Sequence, residues 1–152
     1  MEPLSVFGVF VGVLVATAPA VHAQETFIEY SVTGSATASG RDADAVLCSV
    51  TDDGLIIHSI GEWVFTIEAA SAEAGEHEAS IRVAAPDKVT ALHDDDARTD
   101  DRPKGDGTIL LESAGTGQMN LPLIKVQFAA KGLTSGTGAS IDVTGTVVCL
   151  KM

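Results

Sequence analysis

Ile141-Asp142-Val143-Thr144-Gly145-Thr146-Val147-Val148-Cys149, close to the end of the sequence, decides the fold. Ile141, Val143, Val147 and Cys149 share one phase of a period-two pattern, while Ser140, Asp142, Thr144 and Thr146 share the other. Side chains alternate across a strand, so this run is a β-strand with an apolar inner face, and Cys149 belongs to that face. Gly145 interrupts the inward series and suggests a bulge. Much earlier, Val46-Leu47-Cys48-Ser49-Val50 repeats the pattern with Val46, Cys48 and Val50 inward. Both thiols of the chain therefore point into a core, and one disulfide, Cys48 to Cys149, is the expectation. A bond closing a loop of about 100 residues stabilises by roughly 4–5 kcal/mol in the chain-entropy model. Two buried free thiols are the alternative. Neither cysteine has a second Cys or His at ligand spacing, so a metal is the weaker reading.

Working outward, the same period recurs. Ile28, Tyr30 and Val32 alternate with Glu29 and Ser31, and a Gly-, Ser- and Asp-rich stretch from Gly34 to Asp44 reads as a connection. Asp53-Gly54 marks a turn into a strand over Leu55 to Ile60. Trp63, Phe65 and Ile67 then face one way, and His77, Ala79, Ile81 and Val83 do the same after a turn around Gly75. Those two strands make a hairpin. Ala69 to Ala74 has helical propensity, but an isolated helix so short is marginal. A short strand over Thr108 to Ser113 follows, then one in which Ile124, Val126 and Phe128 oppose Lys125, Gln127 and Ala129. Gly115-Thr116-Gly117 and Gly136-Thr137-Gly138 read as hairpin turns. With no convincing amphipathic helix, the pattern is all-β: an antiparallel β-sandwich or half-open barrel of about eight strands, closed by one disulfide.

Residues 1–23 read as a secretory signal peptide, followed by a single secreted domain over 24–152. Val6 to Ala16 is an apolar run shorter than the roughly 20 residues a spanning helix requires. Pro19 follows, and Val21-His22-Ala23 supplies the small residues of a cleavage site. Met1 to Ser5 carries Glu2 and no Lys or Arg, unlike the usual positive n-region, so retention as an uncleaved anchor is the alternative. No cysteine follows the cleavage site to accept a lipid, so the expectation is an extracytoplasmic product without a stable membrane anchor.

Nine Lys and Arg against 21 Asp and Glu give a net charge of −12 over the 152 residues. Nucleic acid and anionic membrane are therefore excluded as direct partners, since both are repelled at long range. Most of the acids fall in outward phases or turns, where they keep an exported surface solvated. The acidic segment from Leu92 to Gly107 is the richest chemical candidate. Asp94, Asp96, Asp100, Asp101 and Asp106 could offer oxygen ligands to Ca²⁺, which takes six to eight of them. The spacing departs from an EF-hand loop: counted from Asp94, Thr99 stands where Gly is needed and Gly105 where Glu is needed. Arg98, Arg102 and Lys104 also offset the charge, so a solvated, mobile loop is the leading reading, with a calcium site and then a partner-binding loop as the alternatives.

Other chemistries have thinner support. His58 and His77 are expected as inward or rim residues of different strands, and His93 adjoins the acidic segment. No histidine pair has the spacing of a zinc or copper site. There is no G-x-S-x-G elbow, and neither Gly-Thr-Gly run precedes a Lys or a helix as a phosphate loop would. Trp63, the only tryptophan, is inward on the alternation and reads as core.

The early Val46-Leu47-Cys48 strand, the glycine-rich turns, and the late Val126-Gln127-Phe128-Ala129-Ala130-Lys131-Gly132 strand leading to Val143 through Cys149 resemble the mycobacterial lipoprotein antigens of the LpqH type. The likeness spans Phe27 to Cys149. It implies a surface-exposed, non-catalytic domain that meets other cells or hydrophobic ligands, with a cysteine near the start of the β domain matched by one at its end. The chain departs from the family in lacking the lipid-accepting cysteine, in its extra acidic segment, and in placing Val143-Thr144-Gly145 within the last strand. The lipid-dependent behaviour of the family does not carry over.

The expected function is thus a secreted binding or surface-interaction module without cofactor, engaging a protein or a small apolar ligand. Two alternatives come from other classes. One is a calcium-dependent extracellular protein using Asp94 to Asp106, and the other a small secreted hydrolase with a Ser or Asp beside His58 or His77.

Overall fold

The computed structural model describes residues 26–86, 88, 89, 92 and 102–152; the expected signal peptide lies outside them. Among the described residues nine strands follow one another: β1 (Phe27–Gly34), β2 (Ala38–Ala43), β3 (Val46–Thr51), β4 (Gly54–Ser59), β5 (Val64–Ala69), β6 (Gly75–Ala84), β7 (Lys104–Thr116), β8 (Pro122–Thr134) and β9 (Ser140–Leu150). They form one antiparallel sheet in the order β2-β1-β9-β8-β7-β6-β5-β4-β3. From β3 to β9 the sheet is a meander, and β1 then lies beside β9. Among the described residues no helix is long and apolar enough to cross a membrane.

The sheet curls until the end strand β3 meets the C-terminal end of β9. β1 covers one edge of β9 only as far as the pair Phe27–Val148. Past that point β3 takes the vacated edge: Cys48 bridges Lys151 in parallel, and the Val50 N–H donates to the Met152 carbonyl at 2.8 Å. β2 and β3 are two halves of one bent course, the first paired with β1 and the second with β4. The bend sits at Asp44, whose φ of +56° is in the left-handed region. Asp44 donates its N–H to the Thr26 carbonyl, and Ala45 accepts from the Ile60 N–H, each at 2.8 Å. The result is the half-open barrel that the alternation implied, closed by a disulfide between Cys48 and Cys149 whose Cα atoms are 6.0 Å apart.

The strand phases place the core as expected. Val46, Cys48, Ile141, Val143, Val147 and Cys149 are all buried, as are Trp63, Phe65 and Ile67. Through the middle of the curled sheet runs a chain of rings: Tyr30 lies 5.1 Å from Phe65, and Phe65 lies 5.6 Å from Phe128, each pair tilted. Tilted rings at these separations are favourable beyond the area they bury, by about 0.5–1.5 kcal/mol per pair.

Three local readings are corrected. The ninth strand is β2, which lies within the stretch Gly34 to Asp44 read as a connection. Its inward positions are Ala38, Gly40 and Asp42, so no apolar alternation announces it. At Gly40 a side chain would meet the Tyr30 ring, which fills that space instead. β7 is longer than Thr108 to Ser113 because its inward positions Gly105 and Gly107 carry no side chains. Leu133 packs against the first, while Ile81 and Ala130 crowd the second. Finally, Gly145 makes no bulge: it pairs regularly with Tyr30 on one side and Phe128 on the other. The register irregularity between β8 and β9 falls instead between Ala130 and Leu133, where Gly132 adopts φ +67°.

The turns follow their residues. Gly54, at φ +136°, opens β4 after Asp53 donates its N–H to the Thr51 hydroxyl at 3.2 Å. Ser71 to Ala74 is a turn and not a helix, with the Glu73 N–H donated to the Ser71 hydroxyl at 3.1 Å. Gly136 to Gly138 does lie in a tight connection, where the Gly138 N–H reaches the Ser135 carbonyl. Gly115 and Thr116 instead end β7, and a short 3-10 turn over Gln118–Asn120 leads into β8.

Candidate binding surface

Of the candidate metal ligands, only Asp106 is among the described residues. Asp94, Asp96, Asp100 and Asp101 lie outside the described residues, as does His93. Asp106 belongs to β7, where it is exposed on the outer face in register with Ser80 of β6. Among the described residues no group of three or more His, Cys, Asp or Glu side chains could hold a metal ion.

The two described histidines, His58 and His77, lie on different strands and far apart. His58 is exposed on the outer face of β4, with Nδ1 3.2 Å from the Thr66 hydroxyl, a correction to its expected inward or rim placement. His77 is half-buried at the start of β6, with Nε2 2.7 Å from the Glu73 carbonyl. The register runs His58–Thr66–Arg82, so the two rings are five residues apart along β6, or about 17 Å at about 3.4 Å per residue. Ser59, the nearest buried hydroxyl, accepts the Phe65 N–H at 2.7 Å. Trp63 is 4% exposed and belongs to the core.

Among the described residues, two of the larger troughs open on the outward face of the sheet. One, of about 450 Å³, crosses β5, β6 and β7 and is lined by Glu68, Glu78, Ser80, Asp106 and Thr108. It is acidic because these positions are the outward partners of Ile67, Ala79, Ile81 and Ile109, which are buried. The other, of about 430 Å³, crosses β2, β1, β9 and β8 and is lined by Ser31, Ser39, Thr144 and Thr146, with Phe27, Glu29 and Lys125 at its border. Beside it the Arg41 guanidinium lies 3.9 Å over the Phe27 ring and 3.7 Å from the Glu29 carboxylate. Lys125 pairs with Glu112 at 3.7 Å. Such solvent-exposed ion pairs contribute about 0–1 kcal/mol, so they set the charge pattern of the rim more than its stability. A third outward feature is apolar: Leu47 and Ile60 are 56% and 57% exposed on the β3–β4 hairpin, beside Ile56.

Near the end of β2, just before the bend into β3, an acidic group sits against the core. Asp42 points inward, and its Oδ2 is buried with no hydrogen-bond partner among the described residues. Gly61 packs against that oxygen, so a side chain at this position would displace the Asp42 carboxylate. Nearby, Glu62 is 3.4 Å from the Lys88 ammonium. The Tyr30 phenol is held above its ordinary pKa by burial first, then by the negative charges of Asp42 and Glu62. Sequence reading found Tyr30 as an inward residue but not this cluster, because Asp42 acquires its inward phase only once β2 is recognised as a strand.

Comparison of the chain with protein-family models, with curated proteins and with solved structures finds no match. The functional reading therefore rests on the residues themselves.

Proposed function

We propose that the protein is an extracytoplasmic, non-catalytic binding domain that engages a protein partner through the outward face of its sheet. The Tyr30–Phe65–Phe128 ring chain carries this reading: it occupies the middle of the curled sheet, where a small apolar ligand would otherwise be held. What the fold offers to a partner is then the outer face, with its acidic and hydroxyl-lined troughs. The disulfide is consistent with an oxidising compartment outside the cytoplasm. Secretion through a leader over residues 1–23, and a role at the cell surface of the kind the LpqH-type antigens represent, complete the proposal. The separation of His58 from His77, each spent on a local hydrogen bond, supports binding over hydrolysis.

The test is cell-surface binding of the fluorescently labelled, oxidised protein, comparing the natural chain with two outward double variants. Ser80→Arg with Thr108→Arg fills the acidic trough, and Ser31→Arg with Thr144→Arg fills the hydroxyl trough. The reading expects both variants to melt like the natural protein and one of them to lose binding. Binding untouched by either variant, or no binding at all, contradicts it.

A further inference from the structure

The weakest seam of the barrel is also the one that carries its covalent bond. Other neighbouring strands are joined by ladders of four or more residue pairs, the shortest being Leu55–His58 of β4 against Thr66–Ala69 of β5. Between β3 and β9, the described residues show the Cys48–Lys151 bridge and the Val50 N–H to Met152 carbonyl bond. Both fall at the extreme C-terminus, where the opposite edge of the chain is tied by the Lys151 N–H to the Pro122 carbonyl. The course from β2 into β3 bends at Asp44, so β3 is backbone-paired to β4 while β2 stays with β1. A strand held so lightly on one side, and jointed at one end, opens before the rest of the sheet unless something else holds it.

We infer that the Cys48–Cys149 bond is a redox latch on this seam, holding the β3–β4 hairpin shut against β9. Reduction by a dithiol delivers two electrons and two protons. The sulfur–sulfur bond breaks, Cys48 and Cys149 become thiols, and the dithiol closes to its own cyclic disulfide. Without the bond, β3 parts from β9, the β4–β5 ladder, the shortest in the sheet, yields with it, and the β3–β4 hairpin moves about the Asp44–Ala45 joint, while β6, β7 and β8 keep their longer ladders. The opening uncovers inward residues, Val46 and Ile57 among them, that are buried in the closed form. Because Cys48 and Cys149 are 2% and 0% exposed, reductant reaches the bond only when the seam breathes. The inference is independent of which partner the outer face engages.

Hydrogen–deuterium exchange of the oxidised protein, of the same protein after reduction with dithiothreitol, and of Cys48→Ala with Cys149→Ala tests it. In both unlinked forms, exchange over residues 46–60 and 149–152 should rise by at least about tenfold, with β6, β7 and β8 changing by no more than about twofold. Unchanged protection over 46–60 would show that packing alone holds the seam. An equal loss of protection in every strand would show that the bond stabilises the whole fold without latching a part of it. Either result overturns the inference.

Discussion

Gly145 of β9 lies directly opposite Phe128 of β8, and the Phe128 ring occupies the space that a side chain on Gly145 would need. The same Cβ would also collide with the Glu29 carbonyl of β1. The glycine is thus fixed by close approach on both sides, and the ring that it admits is the end of the central aromatic chain.

Gly145→Ala should therefore destabilise the protein by about 1–3 kcal/mol through overpacking. Thermal melts of Gly145→Ala, Phe128→Leu and the combined variant make a double-mutant cycle. The account expects the combined variant to lose less than the sum of the two. Simple additivity would mean that the ring and the glycine are not coupled.

Ser59 is buried, and its hydroxyl accepts the Phe65 N–H at 2.7 Å where the chain turns from β4 into β5. Ser59→Ala strands that N–H in the core and should cost about 1–3 kcal/mol. Chemical denaturation measures it, and a loss near zero would indicate that the amide finds another partner.

Tyr30 is the only tyrosine, so its ionisation can be followed by ultraviolet absorbance without interference. In the unfolded chain it should titrate near its usual value of 10.0, and in the folded protein above it. Above that unfolded value the unfolded state releases the phenolic proton first, so it binds fewer protons than the native state and stability falls as pH rises. The contribution is whole below pH 10 and is lost as pH climbs toward the folded value. Asp42→Asn and Glu62→Gln should each lower the folded midpoint, leaving the part due to burial. A midpoint that neither substitution moves would separate Tyr30 from this acidic group.

Trp63, also single, is 4% exposed. Its emission should be blue-shifted in the folded protein, resistant to iodide, and red-shifted on unfolding. Free quenching in the folded state would place the indole outside the core.

The legible part of this fold is the part written in branched and aromatic side chains. Ile28, Tyr30 and Val32, or Phe65 and Ile67, announce a strand because their alternation is itself the inner face. The two cysteines were legible for the same reason: each shares the phase of apolar neighbours, and the disulfide follows. β2 is hidden because its inner face is Ala38, Gly40 and Asp42, small or charged residues, with the Tyr30 ring filling the space at Gly40 and Gly61 packed against Asp42. Gly105 and Gly107 concealed the start of β7 in a similar way, since a glycine in a strand reads the same as one in a turn. His58 was misplaced because a polar residue among Leu55, Ile56 and Ile57 can belong to either face until register is known. The outward troughs had no signature at all in one dimension. They assemble from residues on three or four strands, and only pairing brings Ser80 beside Asp106 or Ser31 beside Thr144.

The central claim is that the interior of the curled sheet is filled and the working surface is its outside. Nuclear magnetic resonance of the oxidised protein titrated with laurate tests it most directly. The account predicts that the methyl signals of inward Ile67, Ile81 and Val126 stay where they are. Saturable shifts of those methyls, with the amides of outward Ser80 and Thr144 unmoved, would contradict it.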